Sequence, residues 1–87
     1  MKILINICYG GFSFSSLVRE SIPSLDIYDE EARTDLRVIK LFEELGSKAV
    51  SGGHSELKLV EIPDDVEWII ADYDGIEWVA EKHRIWR

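Results

Sequence analysis

No charged side chain occurs between Ile3 and Val18, and Gly10-Gly11 stands in the middle of that stretch. A run this apolar has to be buried, in a bilayer, in a secretory leader or in a globular core. A spanning helix needs about 20 predominantly apolar residues. This run is shorter, and Asn6, the two glycines, Ser13, Ser15 and Ser16 interrupt it. It therefore reads neither as a membrane span nor as a secretory h-region, and we read no targeting signal in it. A globular core remains. Lys2 to Cys8 (KILINIC) predicts a β-strand buried on both faces and central in its sheet. Tyr9-Gly10-Gly11-Phe12-Ser13 breaks it with a turn or a close backbone approach. The chain has 87 residues, so this strand belongs to a single domain over 1–87.

The other elements follow from period and punctuation. Ser13 or Ser15 is placed to cap a short helix ending near Ser21, before Pro23. Pro23 to Glu31 reads as a loop, with Asp29-Glu30-Glu31 a solvated acidic run. Thr34 reads as an N-cap with Asp35 in the first helical turn. Val38, Ile39, Leu41, Phe42 and Leu45 then form a helical apolar stripe. Lys40 is in reach of Glu43 or Glu44, and Gly46 is the stop. Ser47 to Ser55 is predicted to be a flexible loop. Leu57 to Ile62 and Glu67 to Tyr73 are predicted strands, separated by the Pro63-Asp64-Asp65 turn. Asp74-Gly75 admits two readings. As a two-residue loop it makes a type I′ hairpin into a fourth strand, Ile76 to Glu81, with Ile76, Trp78 and Ala80 facing inward. Alternatively, Asp74 caps a helix with Glu77 at the capping-box position. The fold class is α+β: a small, mainly antiparallel sheet of three to four strands with one or two packed helices. Such a sheet leaves an apolar face or an open edge, which points to a homo-oligomer.

Charge narrows the partners. Seventeen acids against ten Lys and Arg give a net charge of −7. A duplex nucleic-acid binder needs a phosphate-neutralising surface, and an anionic membrane needs a basic one, so neither is expected. Cys8 is the single cysteine, which leaves no internal disulfide and no cysteine zinc site. It reads as a small buried hydrophobe rather than a nucleophile. His54, in a glycine-rich loop, and His83 are too far apart in sequence to form a ligand pair, so no metal and no cofactor are expected. Asp72 with Asp74 reads as turn acids, and Glu77 with Glu81 as a second candidate carboxylate pair.

Two segments carry candidate chemistry. The turn Tyr9-Gly10-Gly11-Phe12-Ser13 offers backbone N–H groups and a hydroxyl to an anion, and two aromatic faces to a planar ring. Its spacing is neither a P-loop nor a dinucleotide fingerprint, and a plain strand-to-helix turn explains it as well. The second segment is Lys82-His83-Arg84-Ile85-Trp86-Arg87. Seven acids and no base lie between Asp64 and Glu81, and the composition then switches to cations, a histidine and a tryptophan. Arg84 suits a phosphate and Trp86 a base. A terminal strand whose cations balance the preceding acids explains the same residues. Arg33 stands where it can face an anion or simply lie on the surface.

These motifs, Asn6 to Ser13, Arg33-Thr34-Asp35, Glu44-Leu45-Gly46, Glu56-Leu57-Lys58, Glu61 to Trp68 and Tyr73 to Trp86, together resemble a family of small proteins carried by tailed bacteriophages and prophages. The resemblance spans nearly the whole chain and departs most between Phe14 and Tyr28, where the helix after the glycine turn is shorter. It implies a phage accessory protein in the host bacterial cytoplasm. By analogy it implies an anti-defence sponge that holds a nucleotide-derived immune signal, such as a cyclic ADP-ribose variant or a cyclic dinucleotide, without catalysis. The ligand residues on that reading are Tyr9, Gly10, Gly11, Phe12, Ser13, Arg33, His83, Arg84 and Trp86, in a site shared between subunits. Two other readings compete. The acidic stretch Asp64 to Glu81 would cover a basic host enzyme as a protein–protein inhibitor. A small hydrolase would use His83 with Glu81 or Glu77. A structural role in the phage particle is a further reading.

Overall fold

Four strands and three short helices, joined by one 3₁₀ turn, make up the computed structural model, which describes residues 1–81. The predicted roles of His83, Arg84 and Trp86 lie outside the described residues. In chain order the elements are β1 (Lys2–Asn6), α1 (Ser16–Ser21), a 3₁₀ helix (Glu30–Thr34), α2 (Leu36–Leu45), α3 (Ser47–Val50), β2 (Leu57–Glu61), β3 (Trp68–Tyr73) and β4 (Ile76–Glu81).

The strands form two antiparallel pairs, β1 with β2 and β3 with β4. In the first, Lys2 lies opposite Glu61 and Asn6 opposite Leu57. In the second, Trp68 lies opposite Glu81 and Tyr73 opposite Ile76. β4 packs alongside the other edge of β1, so β1 lies between β2 and β4, and among the described residues it has a backbone ladder with β2 alone.

β1 is buried on both faces, as its sequence predicts, and it ends at Asn6 rather than Cys8. Leu4 joins Phe14, Val18, Ile22, Ala32, Val38, Val50 and Leu57 in the main core. Side chains alternate along a strand, so Ile3 and Ile5 point the other way, and they too are buried. α2 places Val38 and Ile39 in the core through its apolar stripe and half-buries Leu41 and Phe42. It stops at Gly46, whose φ of 87° favours glycine and whose N–H donates to Phe42 O at 2.8 Å.

Several expectations need correction. The α2 N-cap is Asp35, not Thr34: the Asp35 carboxylate accepts from Arg37 N, while Thr34 closes the 3₁₀ turn. Ser47–Val50 is a helical turn, α3, where the glycine-rich stretch predicts loop. It forms because β2 gives it anchors: Ser47 Oγ donates to Leu57 O and Leu57 N donates to Ser51 Oγ. Ser15 occupies the α1 cap position, yet its hydroxyl donates to Ala49 O, tying α1 to α3. Glu43 pairs with Lys2 rather than with Lys40.

The hairpin reading of Asp74-Gly75 is the one adopted. Asp74 (φ 55°) and Gly75 (φ 92°) both take positive φ, as a type I′ turn requires. The inward face is the reverse of the expected one: Glu77 turns inward, and Trp78 is 48% exposed. Arg33, which Glu77 meets on that face, explains the reversal.

Candidate functional site

The free edge of β1 is closed by side chains instead of a strand. On an antiparallel edge, alternate residues aim N–H and C=O away from the ladder. Leu4 O accepts from Arg33 Nη1 at 3.3 Å, and Asn6 N donates to Glu77 Oε1 at 2.8 Å. Arg33 and Glu77 meet as a two-pronged ion pair at 2.6 and 2.8 Å. Their side chains are only 14% and 9% exposed. The Arg33 guanidinium lies 3.9 Å over the Phe12 ring, a cation–π contact. Phe12 meets Phe14 edge to face at 4.9 Å.

Asn6 is the hub of this seam and is fully buried. Its Nδ2 donates to Cys8 O and to Gly75 O, both at 2.7 Å. Its Oδ1 accepts from Glu56 N at 2.9 Å. The Cys8 thiol lies 3.5 Å from both Asn6 Oδ1 and His54 O. One amide thus ties together β1, the glycine turn, the start of β2 and the hairpin turn.

The glycines serve this junction. A Cβ on Gly75 would lie 2.7 Å from Gly11 N and 2.9 Å from Gly10 N, and a Cβ on Gly10 would run into His54 O. Backbone packs on backbone here. The glycine turn and the Asp74-Gly75 hairpin turn thus meet within one chain.

The structure places the remaining predicted residues as follows. Tyr9 is 66% exposed beside the junction. Ser13 is engaged with Ser55: its hydroxyl donates to Ser55 Oγ, and its carbonyl accepts from the same hydroxyl. Arg33 is neither a surface residue nor an unpaired cation. Cys8 is half-buried rather than buried. Glu77 partners Arg33 rather than Glu81. Phe12 and Arg33 share a groove of about 350 Å³ with Ile27, Tyr28, Asp29 and Glu30, in which Tyr28 is 93% exposed.

Sequence reasoning missed Asn6 as a hub, although a single amide inside an otherwise apolar strand is a visible signal. It also missed Tyr28, which no pattern marks. Among the described residues no group of three or more His, Cys, Asp and Glu is placed to hold a metal ion. No helix among them is long and apolar enough to cross a membrane. Comparison with protein-family models, curated proteins and solved structures returned no match.

Proposed function

We propose that the chain is a non-catalytic binding protein that sequesters a nucleotide-derived signal, with one nucleoside unit seated in the groove beside Phe12 and Arg33. The observation that carries this reading is the composition of that groove: two aromatic rings, a guanidinium and two carboxylates around about 350 Å³. That volume is at the small end of the usual ligand range of about 300–1,000 Å³. Tyr28, 93% exposed, offers a stacking face for a base, while Phe12 carries the Arg33 guanidinium on its ring and forms the apolar wall of the groove. Asp29 and Glu30 accept from ribose hydroxyls or an exocyclic amine, as carboxylates do in dinucleotide sites. A phosphate reaching Arg33 shares it with Glu77, so stacking rather than charge dominates affinity.

The biological setting rests on the resemblance: a phage protein made in the host bacterial cytoplasm that blunts a nucleotide-signalled defence. Tyr9, Gly10, Gly11 and Ser13 extend the proposed ligand surface, and His83, Arg84 and Trp86 belong to it on sequence grounds. A homo-oligomer that encloses the ligand between subunits belongs to the same proposal.

The test is thermal unfolding with cyclic ADP-ribose isomers and cyclic dinucleotides, followed by heat denaturation and identification of what is released. A ligand at a hundredfold excess over its Kd adds about 2.7 kcal/mol of stability. Intact ligand in the supernatant supports sequestration, whereas an altered product makes the chain a hydrolase. Tyr28→Ala is expected to weaken binding about tenfold or more, since a stacked base contributes about 1–3 kcal/mol. No shift with any member of the panel overturns the reading.

A further inference from the structure

The β3–β4 hairpin presents a side-chain face made only of apolar and aromatic residues. The pairs Ile69–Ala80, Ala71–Trp78 and Tyr73–Ile76 share it. Ile69 is 44%, Tyr73 72% and Trp78 48% exposed. The same hairpin has a free backbone edge. Its two-residue loop makes Tyr73–Ile76 a hydrogen-bonded pair, so the N–H and C=O groups of Trp68, Ile70 and Asp72 point away from β4. Among the described residues β3 pairs with β4 alone, and no backbone–backbone hydrogen bond from another element reaches that edge.

Charge selects the occupant. Asp64 to Glu81 contains seven acids and no Lys, Arg or His. Glu77 is turned inward to Arg33, and Asp64 pairs with the N-terminal amine. Asp72 and Asp74 stay exposed at the turn end of the hairpin. We infer that the β3 edge is a docking strand for an extended segment of a partner protein that alternates Lys or Arg with apolar residues. The segment adds to the sheet through main-chain hydrogen bonds, the mode that gives affinity in strand addition. Its apolar side chains continue the Ile69–Tyr73–Trp78 face, and its cations reach Asp72 and Asp74. Two copies meeting along this acidic hairpin would bring like charges together, which disfavours a second copy as occupant of this edge and leaves any oligomer to other surfaces. The inference uses no residue of the nucleoside groove and stands apart from it.

The experiment uses a Lys-Val alternating octapeptide, its Glu-Val counterpart, and a Lys-Val peptide with alternate amides N-methylated. Each is titrated into the protein while backbone amide exchange and peptide fluorescence anisotropy are followed. The expected result is binding of the Lys-Val peptide that weakens in 0.5 M salt, with slowed exchange at Trp68, Ile70 and Asp72. N-methylation is expected to weaken it at least tenfold, the Glu-Val peptide to show no binding, and Trp78→Ser to weaken it several-fold without changing the far-ultraviolet spectrum. Equal binding of the Glu-Val or N-methylated peptide overturns the inference, as does unchanged exchange along β3. A free protein that sediments as a dimer with these amides already protected also overturns it, and assigns the edge to a second copy.

Discussion

At the residue scale, the seam between β1 and β4 depends on polar groups that have no substitute partner. Replacing Asn6 by Ala leaves Glu56 N, Cys8 O and Gly75 O without the amide that now satisfies them. A buried group left unsatisfied costs about 1–3 kcal/mol. We expect Asn6→Ala to destabilise by about 3 kcal/mol or more in urea unfolding, a large share of the ~5–15 kcal/mol typical of a domain. The ion pair has a different signature. Arg33→Ala leaves a carboxylate that is 9% exposed with the Asn6 N–H but no counter-charge, and since breaking a fully buried pair costs about 3–5 kcal/mol, this partly buried one is expected to cost about 2–3 kcal/mol. Replacing both partners by apolar residues, as in Arg33→Met with Glu77→Leu, removes the unpaired charge but leaves Leu4 O and Asn6 N without their side-chain partners. The double variant is expected to be more stable than either single one, and a double-mutant cycle measures the coupling. Little of this was legible in sequence. Arg33 and Glu77 are 44 positions apart, and nothing local distinguishes a buried pair from two surface charges.

At the element scale, legibility followed periodicity. α2 was readable because its apolar stripe and its glycine stop agree with one another. The hairpin was readable because Asp-Gly matches the positive φ values that a type I′ turn demands. α3 was not, because a four-residue helix has no period and is held by Ser47 and Ser51 contacts to β2. The closing of β1 by an arginine and a glutamate leaves no strand pattern to detect. Asp35 provides a test of one element alone. Its hydrogen bond to the Arg37 guanidinium holds its carboxyl below the usual aspartate range. A carboxyl lowered by folding stabilises above its unfolded value, near 4, and that stabilisation disappears as pH falls through the folded value. Asp35→Ala is therefore expected to cost about 1 kcal/mol at pH 7, the usual size of a lost N-cap. The difference from the parent should shrink below about pH 4, which chemical denaturation across pH 2–7 will read. A pH-independent difference would mean that Asp35 acts through packing instead of charge.

At the scale of the whole molecule, acidity opposes compactness. A net charge of −7 produces self-repulsion that salt screens over about 10 Å at 0.1 M. Exposed pairs such as Lys2–Glu43 and Arg37–Asp35 lose only a little on screening, because surface pairs contribute at most about 1 kcal/mol each. The melting temperature at pH 7 is thus expected to rise by a few degrees between low salt and 0.5 M sodium chloride. Calorimetry checks this, and a fall would show that the ion pairs outweigh the repulsion.

The Asn6 hub also sets a timetable. Its contacts to Gly75 O and Glu77 span 69 and 71 positions, so they close last as the chain leaves the ribosome from its N-terminal end. Until Glu77 is in place, Arg33 lacks its two-pronged partner and the outer edge of β1 is unsealed. A chain cut just before Gly75 would be held in that state, with the outer edge of β1 bare beside Arg33. The sealing of β1 thus marks the arrival of the hairpin, and a chain cut before Gly75 is distinguishable from the intact one by its exposed Asn6 amide.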